Sequence, residues 1–213
     1  MDNNHQLNAS AIELGSINVR STPTGARIYL DGIYTGQNTN GVLSNIASGN
    51  HNIKVTREGY RIGEASVVVE PGREANAEFT LIADPLAEAL DTPGTFITSG
   101  KGNWTRVTDT YYYDGDSAKS PDVGDNREAS FETTVSGFTS IKFYWKVSSE
   151  PDFDYLGFYI DGVRQDRISG NVGWHQKSYT VSSAVHTLKW TYAKDPSYDK
   201  GDDRGWVDKL ELQ

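Results

Sequence analysis

The sequence contains no cysteine. Disulfides, thiolate metal sites and a cysteine nucleophile are therefore excluded. No apolar run approaches the roughly 20 residues that cross a bilayer as a helix, so no membrane span is expected. The opening Met1-Asp2-Asn3-Asn4-His5-Gln6 lacks the basic-then-apolar pattern of a signal peptide. Met1 is the only methionine, which fits a start residue placed on a piece of a longer chain. Basic charge is also scarce: 20 Lys and Arg stand against 29 Asp and Glu, a formal charge of -9. The deficit is uneven, with 7 acidic and 6 basic residues from Glu13 to Ile82 but 21 acidic and 14 basic from Ala83 to Gln213. Nucleic acid is a poor partner for such a chain, because phosphate binding needs a basic face. The motifs HExxH and GxSxG and a phosphate-cradling glycine loop are missing, and the four histidines are not spaced as metal ligands. Catalysis is not expected. Chance alone brings some carboxylate pair to glycosidase spacing among so many acidic loop residues.

What the chain does have is glycine and aromatic residues: 21 Gly, 12 Tyr, 7 Phe and 5 Trp. Aromatics suit pleated faces and glycine closes turns, so the composition leans to β structure. Polar and apolar residues alternate in Ser16-Ile-Asn-Val-Arg-Ser, Ala26-Arg-Ile-Tyr-Leu-Asp and Asn52-Ile-Lys-Val-Thr, then in Ala65 to Val69 and Ala75 to Leu81. Turn residues separate these runs: Pro23-Thr-Gly25, Asp31-Gly32, Gly36, Gly49-Asn50, Glu58-Gly59 and Pro71-Gly72. Short strands at this spacing predict a small antiparallel sandwich. Asp31-Gly32 predicts a hairpin, and Asp161-Gly162 between later apolar runs predicts another.

The stretch Gly15-Ser-Ile-Asn-Val-Arg-Ser-Thr-Pro-Thr-Gly-Ala-Arg-Ile-Tyr-Leu-Asp-Gly32 resembles the opening of a PEGA domain. Gly36, Leu43, Ile46, Gly49, His51 and Gly59-Tyr60 follow in the family's order. The namesake Pro-Glu-Gly-Ala is Pro23-Thr24-Gly25-Ala26 here, and the Thr-Pro expected after Gly36 is Thr39-Asn40. The resemblance implies a small β-sandwich acting as spacer or anchor in a cell-envelope setting. The expected division is a flexible tail over 1–14, this sandwich over 15–82, a linker over 83–90 and a second module over 91–213. The linker, Ala83-Asp-Pro-Leu-Ala-Glu-Ala-Leu90, could form a helical turn with Pro85 near its first position or run extended.

Longer alternating runs fill the second module, among them Ser140-Ile-Lys-Phe-Tyr-Trp-Lys-Val-Ser, Tyr155-Leu-Gly-Phe-Tyr-Ile-Asp-Gly162 and Gly205-Trp-Val-Asp-Lys-Leu-Glu-Leu. Many strands without helices predict an all-β fold, here a larger antiparallel jelly roll. Asp116-Ser-Ala-Lys-Ser-Pro121 and the three runs just quoted resemble MAM-like and carbohydrate-binding-module-like jelly rolls of secreted microbial proteins. That resemblance implies a structural Ca²⁺ tying the first strand to the last, with Asp91, Asp116 and Asp208 as its metal ligands. Hard cations take oxygen donors from bent loops, and the acidic groups also include Asp114, Asp122, Asp125, Glu150-Pro-Asp152-Phe-Asp154, Asp195, Asp199, Asp202 and Asp203. Solvated turn residues are the alternative for all of them. Candidate carbohydrate-binding aromatics are Trp104, Tyr112, Trp174 and Tyr198; Trp104 and Trp174 could equally be core. Trp145, Trp190 and Trp206 are expected to pack. The combined expectation is a non-catalytic extracellular or cell-surface fragment that binds surface carbohydrate. The rival is a structural module contacting another cell-envelope protein.

Overall fold

The computed structural model describes residues 13–213. The expected tail over 1–14 lies outside the described residues except at Glu13 and Leu14, and Leu14 already opens the first strand. Two compact units emerge. The first takes the described residues up to Thr56 and Gly63–Leu81; the second takes Arg57–Ile62 and Ile82–Gln213.

In the first unit the alternation becomes strands β1 (Leu14–Thr22), β2 (Arg27–Leu30), β3 (Ile33–Asn38), β4 (Gly41–Ala47), β5 (Gly49–Thr56), β6 (Gly63–Val69) and β7 (Glu74–Thr80). They form a three-stranded sheet, β4-β1-β7, and a four-stranded sheet, β3-β2-β5-β6. Ile17, Val19, Ile28, Ile53 and Val55 are fully buried, and these are the apolar members of the alternating runs. One ladder departs from the antiparallel expectation: β1 and β7 run parallel, Ser16 beside Glu74 through Thr22 beside Thr80. Parallel neighbours need a long crossover, and here that crossover is most of the unit, a pairing that local alternation does not encode.

In the second unit the expected linker is instead part of the core. Pro85–Ala89 is a helix, α1, capped by Asp84, whose carboxylate accepts from the Leu86 and Ala87 N–H groups. Pro85 opens the helix because its missing N–H would be unpaired there anyway. Leu86, Ala87, Ala89 and Leu90 are buried with the module's core. Their apolar side chains explain the difference, since an exposed link would leave them in water. Ten strands follow: β8 (Ile97–Gly100), β9 (Thr105–Val107), β10 (Ser117–Lys119), β11 (Glu128–Val135), β12 (Ser140–Ser148), β13 (Tyr155–Ile160), β14 (Val163–Ile168), β15 (Asn171–Thr180), β16 (His186–Ala193) and β17 (Arg204–Leu212). They make two five-stranded antiparallel sheets, β15-β12-β17-β10-β9 and β14-β13-β16-β11-β8. The aromatic core includes Phe131 stacked on Trp190 at 4.9 Å and Phe143 against Phe158 at 4.7 Å.

Both units fasten one hairpin in the same way. At the β2–β3 turn, Asp31 and Gly32 have φ of 50° and 85°. Asp31 pairs with the His51 Nδ1 at 2.7 Å and accepts the Asn52 N–H at 2.8 Å. At the β13–β14 turn, Asp161 pairs with the His186 Nδ1 at 2.6 Å and accepts the Thr187 N–H at 2.8 Å. Histidines 51 and 186 are thus spoken for by turns.

Candidate functional site

The second unit presents two groups of chemistry-bearing residues, an acidic cluster and an aromatic sheet face. The acidic cluster is assembled from four places in the chain. Asp91 follows the end of α1 with φ of 53°, a conformation Asp tolerates. The Leu90 carbonyl beside it accepts the Leu210 N–H at 2.8 Å, which fastens the helix end to β17. Asp208 lies on β17, fully buried, where one carboxylate oxygen accepts the Tyr112 and Tyr113 N–H groups at 2.6 and 3.0 Å. Glu58 and Asp114 complete the group: carboxylate oxygens of Glu58, Asp91 and Asp114 lie within 4.8 Å of one another. A cleft of about 340 Å³ opens beside them, lined also by Asp116 and Arg106.

Electrostatics show how crowded this cluster is. Burial, then the charges of Asp208, Glu58, Asp116 and Asp114, push the Asp91 carboxyl up to about 7. Burial also raises Asp208, against the N–H groups of Tyr113 and Tyr112, which favour its charged form. Asp116 is held by Arg106, at 2.7 and 2.8 Å from two guanidinium nitrogens. Two oxygens remain without a partner: Asp91 Oδ2 and Asp208 Oδ1, both buried. A buried carboxylate oxygen with no donor is costly, and a hard cation satisfies such oxygens. The residues present therefore fit a divalent cation. The structure gathers the expected Asp91, Asp116 and Asp208 into one neighbourhood, with Asp116 engaged by Arg106 and Glu58 and Asp114 beside Asp91.

A second acidic cluster differs in one respect. Lys194, with a 2 % exposed side chain, sits among Asp203 at 2.7 Å, Asp154 at 3.9 Å, Asp125 at 4.0 Å and Asp199, to which it also donates. There the chain supplies its own cation.

The aromatic candidates separate cleanly. Trp104 is core: it is 3 % exposed, packs edge-on against Phe131 and donates its indole N–H to the Ala129 carbonyl. It offers no platform, because the short β9 that follows it lies in the sheet and its ring fills the space beneath. Tyr112 is exposed and stacks on Tyr144 with ring centroids 3.6 Å apart and planes 13° apart; Trp174 lies 6.4 Å from Tyr112. Tyr198 is 75 % exposed on a separate loop and joins none of these ring contacts. Tyr144 was missed by sequence reasoning, although the signal was present: Phe143 and Trp145 are fully buried, so strand alternation turns Tyr144 to the other face.

Residues 14–83 match the PEGA domain family. The PEGA match covers a third of the chain and includes Glu58, which nonetheless packs with the second unit. Within that unit, the Gly59 carbonyl accepts the Asp84 N–H at 2.9 Å and the Tyr60 carbonyl accepts the Gly94 N–H at 3.1 Å. Glu58 was legible in sequence only as a PEGA turn residue; nothing local marks it as a partner of Asp91. A search among curated proteins found no match. Among solved structures, the secreted serine protease VesC from Vibrio cholerae is similar at 13% identity and a TM-score of 0.45, over 95% of this chain and 44% of that one. A carbohydrate-binding module of the β-sandwich superfamily is similar at 12% identity and a TM-score of 0.40, over 89% of this chain and 85% of that one. The module TmCBM61, solved with β-1,4-galactotriose, is similar at 12% identity and a TM-score of 0.38, over 55% of this chain and 87% of that one. The chain thus spans less than half the length of the protease.

Proposed function

We propose that this chain is a non-catalytic, extracellular or cell-surface fragment in which the PEGA portion serves as spacer and the second unit binds carbohydrate. The observation that carries this reading is the stacked Tyr112–Tyr144 pair with Trp174 beside it, on the solvent side of a rigid five-stranded sheet. Sugar rings present C–H faces that pack on aromatic rings, and this pair is preorganised for that contact, Tyr144 by β12 and Tyr112 by its N–H bond to Asp208. Gln176 stands exposed on β15 opposite Tyr144 and offers an amide for sugar hydroxyls. Affinity electrophoresis against a panel of soluble polysaccharides tests the reading. Retardation by at least one polymer is expected, and Tyr112→Ala should abolish it. Free migration of folded protein through every polymer refutes carbohydrate binding and favours a protein partner.

The Asp91 cluster is proposed to hold a structural Ca²⁺, with Glu58, Asp91, Asp114 and Asp208 as donors and Asp116 alongside. A bound Ca²⁺ would supply positive charge to the two unpartnered buried oxygens. Ligand binding to the native state alone stabilises by about 2.7 kcal/mol at a hundredfold excess over Kd. Melting with 2 mM Ca²⁺ should therefore exceed melting with chelator by roughly 5–10 °C. Asp91→Asn, which keeps a residue suited to positive φ, should erase the difference. Superimposable melts for the unaltered protein exclude the metal.

A further inference from the structure

The aromatic face lies in the more acidic part of the chain, yet a row of lysines runs along it. Register places Lys146 of β12, Trp206 of β17 and Lys119 of β10 in one row across the sheet. The Trp206 ring has the Lys146 ammonium 4.9 Å from its centroid and the Lys119 ammonium at 5.6 Å. In the next row Tyr144 pairs with Asp208, and along β12 it stands between Lys142 and Lys146 on the same face. Lys209 lies 3.9 Å over the ring of Tyr113, the neighbour of Tyr112.

The carboxylates near this surface are Asp109, Glu211 and Asp208, with Asp114 and Asp116 of the acidic cluster next to Tyr113. Asp109 approaches Lys119 at 4.0 Å and is 69 % exposed, and Glu211 approaches Lys209 at 3.8 Å. Asp208 is buried and already accepts two backbone N–H groups. Among the described residues Lys146 has no carboxylate within ion-pair distance; its neighbour is the Trp206 ring. Around Trp206, Lys146 and Lys119 thus present two ammonium groups with Asp109 the one carboxylate among the described residues approaching them, while Glu211 lies by Lys209 and Asp116 is held by Arg106. In a unit that is acidic overall, such a local row of lysines favours an anionic ligand over a neutral one.

Resting on the carbohydrate reading above, we infer that the ligand of this face is an acidic polysaccharide whose sugar rings stack on Tyr112, Tyr144 and Trp174 while their carboxylate or sulfate groups meet Lys146 and Lys119. Rings and charges divide the labour. Stacking fixes the sugar plane, and the ammonium groups discriminate charged from neutral sugars.

Two matched pairs of polymers provide the test: polygalacturonate against fully methyl-esterified pectin, and dextran sulfate against dextran. The whole chain is titrated with each at 50 and 300 mM NaCl. Binding is expected to be at least tenfold tighter for one or both acidic members than for their neutral partners, and to weaken three- to tenfold at the higher salt, where charges are more strongly screened. The carboxylated and sulfated arms identify the anionic group. Lys146→Gln should lose about tenfold in affinity for the acidic polymer with its melting temperature unchanged, and Lys146→Arg should restore most of it. Equal binding of neutral and acidic partners, or an unaffected Lys146→Gln, overturns the charge inference while leaving the carbohydrate reading intact. Binding of acidic polymers that survives Tyr112→Ala overturns it as well, because charge alone would then suffice. Absence of binding to all four polymers overturns this inference; the wider panel above separately decides the carbohydrate reading.

Discussion

Replacing Lys194 with Met removes the charge at the centre of the second acidic cluster while keeping an unbranched apolar stem. The ammonium is 2.7 Å from Asp203 and 3.9 Å from Asp154, and those two acids are 8 % and 0 % exposed. Asp154 Oδ2 and Asp203 Oδ1 have no hydrogen-bond donor even in the intact protein. Deleting one partner of a buried ion pair costs about 3–5 kcal/mol, because the other partner stays buried without compensation. For a unit of this size that is a fall in Tm of roughly 10–20 °C. All five tryptophans, from Trp104 to Trp206, lie in the second unit, so their fluorescence reports its unfolding directly. The cost should depend on pH. Burial holds the Asp154 carboxyl above its usual range, opposed by the Asp195 N–H and by the Lys194 charge. Without Lys194 it rises further, so the native state of the variant binds a proton that the unfolded chain releases. Stability of Lys194→Met should therefore increase as pH falls toward 4, and its gap from the unaltered protein should narrow. A loss under 1 kcal/mol at pH 7, or a gap that stays constant down to pH 4, refutes the reasoning and leaves only lost packing.

Other perturbations separate roles that the sequence leaves mixed. Trp104→Ala should cost about 3–5 kcal/mol, the usual price of emptying a buried Trp site, whereas Tyr112→Ala should remove polysaccharide binding with little change in Tm; denaturant titration and affinity electrophoresis together check the pair. The hairpin fastening predicts a pH effect in the first unit. His51 is raised by its hydrogen bond to Asp31, which outweighs its burial, and Asp31 is lowered by the Asn52 N–H and by His51. The pair's contribution is therefore complete between about pH 4 and 6.5 and is lost as pH rises through the raised His51 value. An NMR titration of the His51 ring should show a midpoint above 6.5, and a midpoint at or below it rules out the fastening in solution.

Most of the architecture is local in origin. Alternation from Ser16 to Leu81 placed Ile17, Val19, Ile28, Ile53 and Val55 inward, and Asp-Gly pairs at 31–32 and 161–162 marked two hairpins, because side-chain period and turn chemistry are local properties. The same local logic placed Trp145 and Trp190 in the core and, applied to Phe143 and Trp145, implies an outward Tyr144. Tertiary structure decided what depends on distant partners. It set β1 parallel to β7, packed Leu86, Ala87, Ala89 and Leu90 of the expected linker into a core, and buried Trp104 against Phe131. It also brought Glu58 to Asp91 across 33 positions of sequence and put Lys194, not a metal, among Asp125, Asp154, Asp199 and Asp203. A carboxylate in a turn reads the same from sequence whether it faces water, a lysine or a cation site. Only the groups that the fold packs around it fix its charge and its partner.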